Sequence, residues 1–70
     1  MNVMELNVEL SRHNLSIPKL ADKIGISKKA MYQKFKGETQ FTLPEIREIC
    51  QTLNLQGDRI LEIFFSEKVA

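Results

Sequence analysis

Apolar residues recur along most of the chain at spacings of three and four, which is the period of an amphipathic helix. Val3, Leu6 and Leu10 follow this spacing and predict a first helix over residues 2–13, ended by Asn14 in the left-handed conformation. No segment alternates with the period of two that a half-buried strand requires. The pattern therefore predicts an all-α protein.

Two short helices follow, and each has a serine before it and a glycine after it. The segments Ser16 to Gly25 and Ser27 to Gly37 both offer a hydroxyl that can cap the first turn and a glycine that can end the helix. Ala21 is small enough to let the two helices approach closely, and Ile26 can fill the gap between them. Two helices joined by so tight a glycine turn predict a helix-turn-helix.

The next segment begins with a capping box. Thr42 can cap a fourth helix, and Glu45 can return a hydrogen bond from the third helical position. The helix is expected to run to about residue 53, where Asn54 can terminate it. Its predicted core-facing stripe consists of Leu43, Ile46, Ile49, Cys50 and Leu53.

A fifth helix is predicted from Gln56-Gly57-Asp58 onwards, because Asp58 interacts favourably with the positive end of a helix. Five of the six residues 60–65 are apolar, which is more than one helical face can bury. Part of this segment is therefore expected to lie outside the protomer's own core. Residues 66–70 are expected to form a frayed tail.

The length of 70 residues predicts a single domain over residues 1–70, near the lower size limit for a self-sufficient core. Such small cores favour oligomerisation. No apolar run is long enough to span a bilayer, and the first residues lack the pattern of a secretory signal. With only one cysteine, a disulfide framework and a multi-cysteine zinc site are excluded. We therefore expect a cytoplasmic protein.

Residues that could support catalysis or metal binding are scarce. His13 has no second histidine or partner cysteine for a metal, and Cys50 lies on an apolar stripe, which favours a packing role over a nucleophilic one. No glycine-rich phosphate loop is present. We expect no enzymatic activity, no metal and no cofactor.

Charge is distributed unevenly along the chain. Residues 12–36 contain seven basic residues and one acidic residue, a net charge of +6, whereas the other residues contain three basic and eight acidic ones, a net charge of −5. Such asymmetry favours a polyanionic partner, although an unevenly charged solvated surface is the alternative.

The third helix combines this charge with two distinct faces. At 100° per residue, Met31 and Phe35 fall on one side. The other side carries Lys29, Tyr32, Gln33 and Lys36, with Lys28 near the N-terminal end. A face of long hydrogen-bond donors with one aromatic ring suggests insertion into the major groove of DNA. The alternatives are a solvated helix end for the two first lysines and a half-buried boundary position for the tyrosine.

Residues Leu15 to Leu55 resemble the phage repressor and Cro class of helix-turn-helix regulators, which have the XRE-type fold. The resemblance is carried by Leu15-Ser16, Leu20-Ala21, Ile24-Gly25-Ile26-Ser27, Met31, Gly37 and Leu53-Asn54-Leu55. It implies a five-helix, lambda-repressor-like DNA-binding domain whose second and third helices bind DNA. A narrower similarity to small Cro-like proteins of phages and prophages of Gram-positive bacteria rests on Lys28-Lys29-Ala30-Met31-Tyr32, Gly37-Glu38, Phe41-Thr42 and Ile63-Phe64-Phe65.

The resemblance, together with the positions of the lysines, implies a set of DNA contacts. The expected base-reading residues are Lys28, Lys29, Gln33 and Tyr32. The expected phosphate contacts are Ser16, Lys19, Lys23, Ser27, Lys36, Gly37, Thr39, Gln40 and Thr42. Because lysine donates to guanine O6 and N7 and glutamine can bond adenine twice, a half-site with G and a nearby A is expected.

Three departures from the class pattern concern the same helices. Ile17 stands where the class usually has a glutamine that braces phosphate. Leu10 and Phe35 replace an Arg–Glu pair and can fill the same space as an apolar pair. Lys34 stands where the class more often has a large apolar residue.

Dimerisation is expected because one short helix reads few base pairs. Two copies with recognition helices about 34 Å apart would read a near-palindromic operator in double-stranded DNA. The homodimer contact is expected to use some of Ile60, Ile63, Phe64 and Phe65; alternatively, both phenylalanines complete the protomer's core. No small-molecule effector is expected. A different class of function is a protein-interaction module of antirepressor type, which would bind another repressor through the C-terminal apolar helix.

Overall fold

The computed structural model describes residues 1–65, and the expected frayed tail at 66–70 lies outside them. This part of the chain contains five helices and no strand: α1 (Val3–Arg12), α2 (Ile17–Ile24), α3 (Lys28–Lys36), α4 (Leu43–Thr52) and α5 (Gly57–Phe64). The predicted all-α, five-helix fold is confirmed. Among these helices, none is long and apolar enough to cross a membrane.

The helix boundaries follow from local hydrogen bonding. The side chains that accept a bond from the backbone N–H three residues later are those of Asn2, Ser16, Ser27 and Thr42. Left-handed backbone follows the first four helices, at Asn14, Gly25, Gly37 and Asn54. Because asparagine and glycine tolerate positive φ better than other residues, the sequence predicts these four ends correctly.

The core lies where the five helices converge. Its buried apolar residues are Leu6, Leu10, Leu20, Ala21, Met31, Ile49, Leu53, Ile63 and Phe64. Cys50 is half-buried against this cluster, and burial raises the pKa of its thiol, which fits the predicted packing role. The prediction for Leu43 is wrong: its side chain is 70% exposed, because it occupies the first helical position, at the solvent-facing start of α4.

Two of the four residues expected at the dimer contact lie inside the protomer. Ile63 is fully buried and Phe64 is only 7% exposed, with its ring edge-on to Phe41 at a centroid distance of 6.1 Å. The expectation is corrected for these two residues, because α5 uses them to close the core. Phe65 remains 52% exposed and Ile60 is half-buried.

An ion-pair cluster joins α1 to α5. The Arg59 guanidinium bonds Glu5 and Glu9 of α1 at 2.7 Å each and Glu62 of its own helix at 2.9 Å. The hydrogen bonds that Arg59 donates to Glu62, Glu9 and Glu5 raise its already high pKa, so it stays charged. Because Glu9 is buried, Arg59 supplies the partner that its carboxylate needs.

The turn between α2 and α3 fixes how these two helices meet. Gly25 adopts φ +80°, and the N–H groups of Gly25 and Ile26 donate to the Ala21 carbonyl at 2.9 and 3.0 Å. Ala21 itself is buried between the helices. The direction of α3 therefore depends on one left-handed residue.

We expect Gly25→Ala to lower the free energy of unfolding by about 1–2 kcal/mol, since a Cβ is disfavoured in left-handed backbone. Nothing lies within 4 Å of the added Cβ, so the cost belongs to the backbone alone. Gly57→Ala is the matched control: its Cβ also meets nothing and its φ is not left-handed, so stability should stay equal or rise slightly. Urea unfolding followed by circular dichroism measures both; equal losses in the two variants would contradict the prediction.

Candidate nucleic-acid interface

Helix α3 is oriented by the side chains that it buries. Met31 is completely enclosed, and Phe35 packs against the same apolar cluster one turn later. The opposite side therefore faces solvent, as the two-faced pattern predicts. On that side Lys29, Tyr32 and Lys36 are exposed, Gln33 is partly exposed, and Lys28 is exposed at the first position of the helix.

Helix α2 and its connections add polar groups beside α3. Lys19 and Lys23 are exposed one turn apart on α2, and the two capping serines, Ser16 and Ser27, are exposed as well. The Ser16 hydroxyl accepts a bond from the Lys19 N–H at 3.3 Å, which leaves its own hydrogen available to another acceptor. These groups could contact the phosphates that flank a helix in the major groove.

The loop between α3 and α4, residues 37–42, exposes small polar groups while one aromatic ring is held inside. Gly37, Thr39, Gln40 and Thr42 are exposed. Phe41 points inward, and its ring lies edge-on to Phe35 at a centroid distance of 6.1 Å. The loop therefore presents hydroxyl, amide and backbone groups that suit phosphate oxygens.

The basic segment divides into paired and unpaired charges. Arg12 bonds Glu9 at 3.3 Å, and Lys34 bonds Glu45 at 3.1 Å. Within residues 1–65, no carboxylate lies within ion-pair distance of the other lysines of this segment: Lys19, Lys23, Lys28, Lys29 and Lys36. The positive charge that remains available to a polyanion is therefore concentrated on α2 and α3.

Sequence reasoning did not identify the role of Lys34. Its side chain is only 10% exposed, and its ammonium group donates to the Gln40 carbonyl at 2.9 Å and lies 5.6 Å from the centre of the Phe41 ring. The spacing from Met31 to Lys34 was the available signal, since residues three apart share a helical face. The lysine thus lies on the inner side of α3.

Glu45 links this lysine to the start of α4. Its carboxylate accepts from the Thr42 N–H at 2.9 Å while the Thr42 hydroxyl accepts from the Glu45 N–H at 3.3 Å, so the predicted capping box is confirmed. Burial acts to raise the pKa of Glu45, but the Thr42 backbone bond and the Lys34 ammonium together lower it below the ordinary value. The Glu45 carboxylate therefore stays ionised at neutral pH.

The departures from the class pattern have structural consequences. Leu10 is buried and Phe35 packs against the same cluster, as an apolar replacement for an ion pair should. Ile17 also packs against the core at the start of α2, where it offers no donor to a phosphate. Ser16 is thus the polar side chain that remains at this end of α2.

The comparisons with known proteins agree with this geometry. Residues 5–65 match the family described as the Cro/C1-type HTH DNA-binding domain. No curated protein and no solved structure matches the chain. The match covers α1 from Glu5 onwards and the whole of α2 to α5. The chain therefore belongs to the family of Cro/C1-type helix-turn-helix DNA-binding domains, with α2 and α3 as the helix-turn-helix.

Proposed function

We propose that this protein is a sequence-specific transcriptional regulator of Cro-like type that represses by occupying an operator in double-stranded DNA. One observation carries the proposal: α3 exposes Gln33, Tyr32 and lysines that have no carboxylate partner among residues 1–65, while the buried Met31 anchors the opposite side of the helix. A rigid helix with outward donors is what base-edge recognition in the major groove requires. The protein would act in the cytoplasm, without catalysis, cofactor or small-molecule effector.

The proposed base contacts are those of Lys28, Lys29, Gln33 and Tyr32. Two observations support these contacts: the four side chains lie on the solvent-facing side of α3, and each of them can donate a hydrogen bond to a base edge. The proposed phosphate contacts are at the start and on the exposed side of α2, at both ends of α3, where the last is Lys36, and in the loop 37–42. The narrower likeness to Cro-like proteins of phages of Gram-positive bacteria fits a protein that regulates through its own concentration.

We further propose that the protein binds its operator as a homodimer through an apolar patch on α4 and α5. Leu43 and Ile46 line two neighbouring grooves, one shared with Phe65 and the other with Ile60. Leu61 is exposed on α5, one turn before Phe65, which caps the end of that helix. These five residues are called the α4–α5 patch below. Leu43, Leu61 and Phe65 are exposed and Ile46 and Ile60 are half-buried, and clustered apolar side chains that reach the surface favour an interface over solvent.

The second candidate function is the protein-interaction module, and the same patch favours it. Under that alternative the α4–α5 patch would bind another repressor, and the lysines of α3 would contribute little. Dependence of DNA affinity on salt separates the two functions. A groove binder loses affinity steeply, with a log–log slope of about −0.9 for each phosphate neutralised. A flat response, or no binding to any duplex selected from a random pool, would exclude the DNA-binding proposal.

We expect Gln33→Ala to cost about 1–3 kcal/mol at the preferred operator and to relax the preference for the base it reads. Lys23→Ala should instead weaken all duplexes alike and reduce the salt slope by about 0.9, because it removes one phosphate contact. Competition binding on the selected operator and its single-base variants measures both effects. Unchanged base preference in Gln33→Ala would show that another residue reads that position.

For the dimer, we expect Phe65→Asp to raise the dissociation constant about tenfold or more, since an unpaired carboxylate in an apolar contact costs on the order of several kcal/mol. Met4→Asp is the matched control, because Met4 is an apolar residue of α1 that is 74% exposed and lies outside the patch. Sedimentation equilibrium measures both variants, with circular dichroism as the check on folding. A dimer that survives Phe65→Asp but not Met4→Asp would move the interface to α1.

A further inference from the structure

Lys34 is the one lysine of α3 whose charge is directed into the protein. Its ammonium group has three partners within the described residues: the Gln40 carbonyl, the Glu45 carboxylate and the face of the Phe41 ring. A lysine on a DNA-binding helix would ordinarily be expected to contact a phosphate. The contacts of Lys34 instead connect the end of α3 to the end of the loop that follows it.

The contacts of Lys34 close the loop 37–42 on itself. At its beginning, the Gly37 and Glu38 N–H groups donate to carbonyls of the last turn of α3. At its end, the Lys34 ammonium bonds Gln40, and Glu45 bonds both Lys34 and the Thr42 N–H. Both ends of the loop are therefore attached to the last turn of α3, the first through backbone carbonyls and the second through the Lys34 side chain.

We propose that Lys34 and Glu45 are positioning residues for DNA binding, which hold the loop 37–42 in the conformation that meets the phosphate backbone. The inference rests on the proposed function, since it assigns a role within the same interface. The two residues act through the loop and do not touch DNA themselves. Their contribution is to order the loop before binding, which removes an entropic cost from the complex.

The groups that the pair would position are on the outer side of the loop. Thr39 and Gln40 are exposed, and among residues 1–65 their N–H groups have no protein acceptor. The Thr42 hydroxyl is likewise exposed while it caps α4. Backbone N–H groups and hydroxyls are common phosphate ligands, provided that the backbone is held in place.

A direct phosphate contact by Lys34 would have a structural cost that the positioning role avoids. Moving the ammonium outward would leave the partly buried Glu45 carboxylate without its cation and the Gln40 carbonyl without its donor. The five lysines on α2 and α3 that have no carboxylate partner within residues 1–65 could contact phosphate without that cost.

The sign of the effect of Glu45 on affinity is the sharpest test. Removal of a negative charge beside DNA should tighten binding if only electrostatics matter. We expect Glu45→Ala to weaken operator binding about tenfold instead, the equivalent of one or two ordinary hydrogen bonds. Glu48→Ala is the matched control: it removes the same charge from an exposed position of the same helix and should leave affinity equal or slightly higher.

Lys34→Met provides a second test, the dependence of DNA affinity on salt. Loss of a lysine that contacts phosphate changes this dependence, whereas loss of a positioning lysine does not. We expect weaker binding with an unchanged salt slope, because no counterion is released by a lysine that does not touch DNA. A slope reduced by about 0.9 would mean a direct contact and would overturn the proposal. The double variant Lys34→Met/Glu45→Ala should bind no more weakly than the weaker single variant, because both changes free the same loop.

Neutral methylphosphonate groups, placed one at a time along the operator, identify the phosphates that the loop contacts. A neutral group that weakens binding by the wild-type protein at a loop-contacted phosphate should have no effect on binding by Lys34→Met. At phosphates contacted by Lys19 and Lys23, the effect should remain in both proteins.

Circular dichroism verifies that the variants fold. If Glu45→Ala unfolds, it is replaced by Glu45→Gln, whose amide oxygen can still accept from the Thr42 N–H. If the wild-type protein binds DNA and both Glu45→Ala and Lys34→Met bind equally well, this inference alone is overturned. If the wild-type protein shows no salt-dependent binding, the proposed function is overturned as well.

Discussion

Burial of Met31 is the constraint on which the rest of the interface depends. With Met31 enclosed, the next residue, Tyr32, faces solvent, and so does the side of α3 that carries Lys29 and Gln33. The α2–α3 turn supplies the geometry, because the left-handed Gly25 lets α2 cover Met31 while Ala21 permits the close approach. A different residue buried on α3 would rotate every proposed base contact away from the groove.

The sequence predicts well those features that depend on neighbours a few residues apart. Caps, left-handed ends and the spacing of apolar residues are local, and all four predicted caps and ends of α2 and α3 occur as expected. The inner and outer faces of α3 follow from the helical period alone. Membership of the Cro/C1-type family adds the arrangement of five helices, which local signals do not specify.

Features that depend on distant residues could not be predicted in the same way. The Arg59–Glu9 bond joins residues fifty positions apart, and no periodic pattern indicates such a pair. The sequence predicts that α5 has more apolar residues than one helical face can bury, but only packing decides which of them enter the core: Ile63 and Phe64 do, while Phe65 does not. For Leu43, apolar character suggested burial, whereas its place at the start of α4 decides its exposure.

The basic segment serves two purposes that a count of charges cannot separate. Arg12 and Lys34 are each paired with a carboxylate of the protein: Arg12 bonds Glu9 of its own helix, whereas the largely buried Lys34 bonds Glu45 and so connects α3 to α4. The remaining lysines lie on α2 and α3 without carboxylate partners among the described residues, where their repulsion lowers stability unless a polyanion is bound. Like charges clustered on two adjoining helices disfavour the folded state of the free protein. Their presence is therefore better explained by binding of a polyanion than by a contribution to stability. That asymmetry between paired and unpaired cations, more than the net charge of +1, is the electrostatic argument for DNA.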